Sequence, residues 1–255
     1  MATRVTAARL WQRPSRQQAA AAPGFEQLAG DLHATISSIG ATHPAAALAS
    51  SLSIEDMVLL HAIVHTGAPI GAFFIDTGRL HPETLALLDQ VPAALGIRIR
   101  VLRPDPAAVA SWTARHGLDG FRESVELRHA CCALRKVQPL QRALEGCDAW
   151  LTGQRRGHGP DRAALEIREH DALRDIAKFN PLAHWPDEAV WHYADRFELP
   201  VNRLHVRGYP SIGCEPCTRA IRTGEDPRAG RWWWERSATK ECGLHWVHPD
   251  TETSR

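Results

Sequence analysis

Residues 45–75, AAALASSLSIEDMVLLHAIVHTGAPIGAFFI, have the pattern of a strand, a helix and a second strand. The short apolar runs at residues 45–52 and 70–75 are typical of buried strands. Between them, Ser53 can cap a helix, with Asp56 three residues later as its capping-box partner. A strand, a helix and a strand in this order predict two parallel strands joined by a crossover helix.

The alternation of strands and helices continues beyond this unit. We predict a helix at residues 81–96, a third strand at 97–102, a helix after Pro106 and a fourth strand at 149–152. Strands that alternate with helices predict an α/β fold in which helices sandwich a parallel sheet. Ligands of such sheets bind beyond the carboxyl ends of the strands.

Three polar loops follow predicted strands, at residues 51–56, 76–81 and 153–162. Because the carboxyl ends of parallel strands lie at one edge of a sheet, we expect these loops to form one site. In the first loop, Ser51 and Ser53 at a helix N-terminus suit a phosphate, although serines at this position also serve as plain helix caps.

The second loop, DTGRLHPET, has a stronger anion-binding pattern. Gly78 permits an unusual turn, and Arg79 can bind an anion through two hydrogen bonds. Asp76 and Thr77 complete this candidate binding segment. Four further residues either add positive charge at the same edge or form a solvated charged surface: Arg155, Arg156, Arg162 and Lys136.

The composition is that of a soluble globular protein with one sizeable core, since 44% of the 255 residues are apolar. The formal net charge of +1 provides no global field for nucleic acid or a membrane surface. No apolar run approaches the ~18 residues that span a bilayer. We predict a disordered basic tail at residues 1–24, which also has features of an organelle transit peptide. An α/β nucleotide-binding domain is predicted at 25–200, and a C-terminal segment at 201–255.

Five of the six cysteines are grouped, and no secretory signal precedes them. This combination indicates a reducing compartment, the cytoplasm, and metal binding or catalysis. The grouped cysteines are Cys131, Cys132, Cys214, Cys217 and Cys242. The first four suit tetrahedral zinc or a four-iron cluster, or are plain buried thiols. Adjacent cysteines on a helix point about 100° apart, which a larger cluster accommodates more readily than a single zinc ion.

Cys242 stands apart from the other four, in the segment KECGLH. Lys240 and His245 favour its thiolate, whereas Glu241 disfavours it. Local features are therefore compatible with two interpretations of Cys242: a reactive thiol on a lid, or a buried cysteine. Cys147, beside an apolar strand, is interpreted as a core cysteine.

Taken together, these motifs resemble the adenylyl-sulfate (APS) reductases of assimilatory sulfate reduction, within the group that includes the phosphoadenylyl-sulfate (PAPS) reductases. The resemblance extends from about Leu48 to His245. Its segments are SSLSIEDMVL, FFIDTGRLHPET, HACCALRKVQPL, WLTGQRR, KFNPLAHW, GYPSIGCEPCTR, GRWWWE and KECGLH. It implies an adenine-nucleotide α-hydrolase type of fold, which agrees with the parallel sheet predicted above.

The resemblance also implies a cofactor and a nucleophile. The implied ligands of a [4Fe-4S] cluster are Cys131, Cys132, Cys214 and Cys217. The residues implied to bind the phosphosulfate or to surround the cluster are Lys136, Arg162, Arg228, Arg231 and His245. Because PAPS enzymes generally lack the cluster cysteines, the four cysteines indicate APS. In the first loop, relatives usually carry a glycine and a small residue where this chain has Ser53 and Ile54.

The reaction implied by the resemblance is a thiol-dependent reduction. The Cys242 thiolate attacks the sulfur of APS, AMP leaves, and a cysteine S-sulfonate remains. A reduced thioredoxin attacks the Cys242 sulfur and expels sulfite, and its second thiol resolves the mixed disulfide. Because thirteen residues follow Cys242, we expect thioredoxin to be a separate protein. We also expect a homo-oligomer that binds neither nucleic acid nor membranes.

Three other functions are compatible with parts of the sequence. A PAPS or dual-specificity reductase would need another basic contact for the 3′-phosphate. An ATP-pyrophosphatase-type thiolase would share the nucleotide-binding architecture, but it would need ATP, magnesium carboxylates and a basic RNA-binding surface. A zinc-stabilised binding module would be colourless, whereas an iron–sulfur protein is brown.

Overall fold

A six-stranded β-sheet forms the centre of the structure, a computed structural model that describes residues 9–235. Its strands are β1 (Ala47–Ser50), β2 (Gly71–Ile75), β3 (Arg100–Leu102), β4 (Ala149–Leu151), β5 (Arg168–Asp171) and β6 (Ile176–Phe179). Their spatial order is β3–β2–β1–β4–β6–β5, and all neighbours are parallel except β5 and β6. The predicted α/β class is therefore confirmed, with a sheet that is mostly rather than wholly parallel.

Helices cover both faces of the sheet. They are α1 (Arg16–Ala20), α2 (Phe25–Thr42), α3 (Ile54–Thr66), α4 (Pro82–Leu95), α5 (Pro106–His116), α6 (Val125–Cys132), α7 (Gln138–Leu144) and α8 (Asp187–Arg196). Alternate strand residues point to opposite faces, so Leu48 and Phe74 enter the core with α2, α3 and α8, whereas Phe73 and Trp150 pack with α7. Within residues 9–235, none of the helices has the length and apolar character that a membrane span requires.

The strand–helix–strand unit follows the sequence prediction closely. The Ser53 hydroxyl accepts the N–H of Asp56, and the Asp56 carboxylate accepts the N–H of Ser53, which forms the predicted capping box. Gly67, with φ +65° in the left-handed region, ends α3. Because β1 lies between β2 and β4, the N-terminus of α3 is held at the carboxyl end of a central strand.

The sequence pattern does not predict the two strands at one edge of the sheet, β5 and β6. β5 reads REHD, and its charged residues form neither an apolar run nor an alternating pattern. The two strands form an antiparallel hairpin in which Glu169 lies opposite Lys178, and these side chains pair at 2.8 Å. β6 pairs with β4, so the hairpin extends the sheet beyond the four predicted strands.

Residues 9–24, which belong to the predicted disordered tail, are packed in the structure. Arg13 Nη2 donates to both carboxylate oxygens of Asp195 in α8, at 2.9 and 2.8 Å. The backbone N–H of Trp11 donates to the carbonyl of Ile221 at 2.9 Å. Because these partners are distant in the sequence, no local pattern in residues 9–24 predicts the contacts. Residues 1–8 lie outside the described part of the chain.

Candidate active site

An open cleft lies at the carboxyl ends of β1, β2 and β4. All three polar loops that follow these strands contribute to its lining. The structure brings seven of the candidate substrate residues to this cleft: Ser51, Ser53, Thr77, Lys136, Arg162, Arg228 and Arg231. His245 and Cys242 lie outside the described residues.

The first loop is organised around a buried carboxylate, that of Asp56. The backbone N–H and the hydroxyl of Ser51 donate to Asp56 Oδ2 at 2.6 and 2.8 Å, and the N–H of Ser53 lies 3.4 Å from the same oxygen. Burial raises the pKa of Asp56 to about 6, although the Ser51 hydrogen bonds oppose the shift. The donors that the sequence assigned to a phosphate are therefore directed to a carboxylate of the protein itself.

A second buried carboxylate, Glu55, links the first loop to the third. Glu55 Oε1 accepts hydrogen bonds from Arg155 Nε and His158 Nε2, both at 2.9 Å. Arg155 also pairs with Asp187 at the start of α8 and donates to the carbonyl of Trp185 at 3.0 Å. Burial disfavours the charged form of Glu55, but His158 and Arg155 outweigh this effect and hold its pKa well below the usual range.

The first and third loops approach each other so closely that only glycine fits at position 153. A Cβ atom on Gly153 would lie 2.6 Å from Asp56 Oδ1 and 2.8 Å from Glu55 Cβ. Both distances are shorter than side-chain carbons tolerate. The third loop can therefore lie against the N-terminus of α3 only because Gly153 has no side chain.

The second loop connects the cleft to a neighbouring cysteine-lined cavity. Thr77 faces the cleft, and its Oγ1 lies 3.3 Å from Cys214 Sγ. Asp76 pairs with Arg103 at 3.0 Å and also accepts the N–H of Gly78. Asp76 is thus engaged both within the loop and with the segment after β3.

Arg79, the predicted anion-binding residue of the second loop, is engaged by another part of the protein. It pairs with Asp119 at 2.6 Å and donates to the carbonyl of Leu118 at 2.7 Å. Its side chain lines the cysteine cavity rather than the main cleft. In this structure Arg79 therefore contributes positive charge beside the cysteines.

Four cysteines line the second cavity. Cys131 and Cys132 end α6 and precede a π-helical turn at Ala133–Val137, whereas Cys214 precedes and Cys217 ends the short helical turn Glu215–Cys217. Burial raises the pKa of Cys131, and it raises that of Cys217 to about 12. Five cations share the lining: Arg79, Arg128, Arg135, Lys136 and Arg231.

The donor set of this cavity suits an anionic group held by thiolates. Among the described residues, no three or more His, Cys, Asp or Glu side chains are grouped so that they could hold a metal ion. Four cysteine sulfurs and five cations line this one cavity, which provides the ligand type and the opposite charge that such an anionic group would need. Arg231 also has a buried Nε with no hydrogen-bond partner among the described residues.

The cleft and the cysteine cavity share a wall formed by Lys136 and Arg231. The Arg231 guanidinium lies 4.7 Å from the ring centroid of Trp232 and packs over Gly213, where a Cβ atom would come within 2.4 Å of Nη2. Trp232 also stacks with Arg128, at 4.6 Å. An anion in the cleft and a group in the cysteine cavity would therefore experience the same two cations.

An ion pair at the end of the described chain is buried beside the cysteine cavity. Arg128 donates from Nε and Nη2 to the two carboxylate oxygens of Glu235, at 2.7 and 3.0 Å. Arg128 lies on α6 one turn before Cys131. Glu235, the last residue that the structure describes, is thus joined to the helix that carries two of the grouped cysteines.

Several cleft residues are not identified by the sequence patterns. They are Trp11, Glu55, His158, Asp187, Trp191 and His205. Glu55 has the sequence environment of an ordinary first-turn helix residue, and Trp11 falls in the predicted tail. His158 lies inside the third polar loop, so the sequence locates its loop but not its role.

Comparison with known proteins gives a consistent set of relatives. A family model described as the phosphoadenosine phosphosulfate reductase domain matches residues 45–220. An adenosine 5′-phosphosulfate reductase from Burkholderia cepacia is 56% identical over 214 residues, 84% of this chain and 86% of the relative. A protein of the same name from Allochromatium vinosum is 53% identical over 77% of each chain. A solved phosphoadenylyl-sulfate (PAPS) reductase from Candida auris, a phosphate complex, has a TM-score of 0.65 at 28% identity, covering 74% of this chain and 90% of that one.

Replacing Gly153 with alanine should destabilise the protein, because the new Cβ would collide with Asp56 and Glu55. We expect Gly153→Ala to lower the free energy of unfolding by about 1–3 kcal/mol, the usual cost of overpacking. Gly157→Ala in the same loop is the matched control, since its Cβ would meet only Arg155 Nη1 at 3.5 Å. Urea unfolding of both variants measures the difference, and equal stabilities would contradict the proposed close contact.

Proposed function

The chain belongs to the phosphoadenosine phosphosulfate reductase family, and we propose that it is an enzyme that reduces APS to sulfite and AMP with electrons from thioredoxin. The observation that carries this proposal is the pairing of a polar cleft with a four-cysteine cavity through Lys136 and Arg231. The name shared by its curated relatives supports APS as the substrate. The activity belongs to sulfate assimilation, the route from sulfate to cysteine.

The cleft has the chemistry that an adenine nucleotide with an acidic group requires. Its lining combines apolar and aromatic side chains such as Phe74 and Trp191 with several cations. Gln154 Oε1 and His205 Nε2 are buried there without hydrogen-bond partners among the described residues. Buried polar atoms normally have partners, so we infer that a polar ligand supplies them.

Four cations are suited to bind the phosphosulfate end of APS: Lys136, Arg162, Arg228 and Arg231. All four line the cleft. Arginine binds phosphate and sulfate oxygens through paired hydrogen bonds. When AMP leaves, negative charge accumulates on its phosphate, and positioned cations stabilise that charge.

Cys242 is proposed as the nucleophile. Its thiolate attacks the sulfur of APS, the bond from that sulfur to the bridging oxygen breaks, and AMP departs with the electron pair. The enzyme then carries a cysteine S-sulfonate. A thiolate of reduced thioredoxin attacks the Cys242 sulfur and releases sulfite, and the second thioredoxin thiol resolves the mixed disulfide. Oxidation of thioredoxin to its disulfide supplies the two electrons.

Cys131, Cys132, Cys214 and Cys217 are proposed to hold a [4Fe-4S] cluster. When bound, the cluster would order the two cysteine segments and tune the electrostatic field at the cleft. Thr77 is positioned to donate a hydrogen bond to the Cys214 sulfur, and Lys136 and Arg231 face both cavities. A protein with these free thiols operates in a reducing compartment, and we assign it to the cytoplasm.

Loss of one proposed cluster ligand should remove the cofactor. We expect Cys217→Ser, purified anaerobically, to lose the brown colour, the iron and the acid-labile sulfide of the wild type, because serine is a poor ligand for iron–sulfur clusters. Cys147→Ser is the matched control, since Cys147 packs beside α7, away from the cysteine cavity. Wild-type protein that contains zinc and no iron would contradict the cofactor proposal.

The activity itself is tested by anaerobic incubation with reduced thioredoxin and either APS or PAPS. We expect the wild type to release sulfite from APS in preference to PAPS, and Cys242→Ser to lose at least about a thousandfold of the rate, as covalent catalysis requires its nucleophile. Sulfite release by the serine variant at the wild-type rate would exclude the mechanism. A preference for PAPS would reassign the substrate and leave the chemistry intact.

A further inference from the structure

Trp11 offers the cleft an aromatic surface that the fold itself does not bury. The described tryptophan and phenylalanine side chains that line the cleft are Trp11, Phe73, Phe74, Trp150 and Trp191. The last four are each at most 2% exposed, because they pack within the core. Trp11 packs on the edge of the core and remains partly exposed. Of these five rings, Trp11 is therefore the one with surface left for a ligand to cover.

The segment that carries Trp11, residues 9–13, is attached to the C-terminal part of the described chain by its backbone, and we call it the N-terminal strap. The N–H of Trp11 donates to the carbonyl of Ile221 at 2.9 Å, and the N–H of Thr223 donates to the carbonyl of Arg9 at 2.9 Å. These two hydrogen bonds flank Trp11 along the strap. They fix the backbone from which its side chain reaches the cleft.

The other end of the strap is held by helix α8. Arg13 Nη2 donates to both carboxylate oxygens of Asp195, and the Arg13 guanidinium lies 4.8 Å from the ring centroid of Trp191. The Trp11 ring itself packs beside the buried ring of His205, with 6.4 Å between the centroids. Trp11 is therefore positioned before any ligand arrives, which reduces the entropy lost on binding.

The adenine of APS is the part of the substrate that suits this surface. A purine ring is flat and apolar on its faces, and it stacks well on aromatic side chains. The phosphosulfate group is anionic and requires cations, which the cleft supplies at the wall formed by Lys136 and Arg231. The ribose hydroxyls require hydrogen-bonding partners rather than the face of an indole. The base is therefore the group that Trp11 is best suited to bind.

We propose that Trp11 binds the adenine ring of APS by stacking, so that the N-terminal strap, which lies outside the residues 45–220 matched by the family model, completes the nucleotide site. The proposal rests on the proposed function, in which APS is the substrate. Because the base is common to APS and AMP, Trp11 strengthens the binding of both. It supplies uniform binding, which affects KM rather than the rate of the chemical step at sulfur.

The test measures equilibrium binding of APS, AMP and ribose 5-phosphate to full-length protein that carries Cys242→Ser, so that no turnover occurs. We expect Trp11→Ala to weaken the binding of APS and of AMP about tenfold each, the loss of one stack between a base and an aromatic side chain. Ribose 5-phosphate, measured by competition, has no base and should bind to the variant as it does to the parent. Trp11→Phe keeps a ring and should bind both nucleotides nearly as tightly as the parent.

Two further variants separate stacking from a structural role of the strap. Leu10→Ala shortens an exposed side chain of the same strap, next to Trp11 and outside the cleft lining, and it should bind all three probes as the parent does. Trp11→Leu keeps an apolar side chain that can pack on the core, but it has no ring. It should therefore bind APS and AMP more weakly than Trp11→Phe does, and this comparison remains decisive even if Trp11→Ala folds poorly.

The proposal is overturned if Trp11→Leu binds APS and AMP as tightly as Trp11→Phe, or if Trp11→Ala loses affinity for ribose 5-phosphate by the same factor as for AMP. A loss of nucleotide binding in Leu10→Ala as large as that in Trp11→Ala would also overturn it, because the strap as a whole would then be responsible. These outcomes leave the proposed function intact, since the parent still binds APS. If the parent binds no APS, the proposed function fails, and this inference fails with it.

Discussion

The buried carboxylate of Glu55 fixes the edge of the sheet on which the cleft is built. Taking a carboxylate and a guanidinium out of water costs several kcal/mol, and only close, well-paired partners repay it. Glu55 has such partners in Arg155 and His158, each at 2.9 Å. Through Arg155 the same ion pair reaches Asp187 in α8. The Glu55 side chain, through Arg155, thereby joins the loop after β1, the loop after β4 and helix α8.

The proposed chemistry follows from two cavities that share a wall. The formal net charge of the chain is only +1, so attraction for an anionic substrate must come from local concentration of cations. Lys136 and Arg231 lie between the cleft and the cysteine cavity. Because a cluster with four thiolate ligands is itself anionic, these residues would balance its charge and that of the phosphosulfate together. The buried pair of Arg128 and Glu235 holds the end of the described chain beside the cysteine cavity.

The parts of the structure that follow from local sequence were predictable. The capping box of Ser53 and Asp56, the strands β1 and β2, and the gathering of three polar loops at one edge all rest on short-range patterns. The charged strand β5 carries no such pattern, because backbone pairing with β6, which itself pairs with β4, holds it in the sheet. The contact of Trp11 with residue 221 depends on segments at opposite ends of the chain. The sequence also identified two candidate anion-binding segments, but it did not reveal that carboxylates of the protein itself bind their donors. Asp56 accepts from the serines of the first segment, and Asp119 pairs with Arg79 of the second.

The central claim is that Cys242 takes the sulfonate group from APS. Mass spectrometry of peptides from the full-length holoenzyme, incubated anaerobically with APS and no reductant, tests it most directly. We expect the peptide that contains Cys242 to gain the mass of one SO₃ group, with one AMP released per modified chain, and to lose that mass when reduced thioredoxin is added. AMP release without modification of Cys242, or modification of a different cysteine in its place, would contradict the claim.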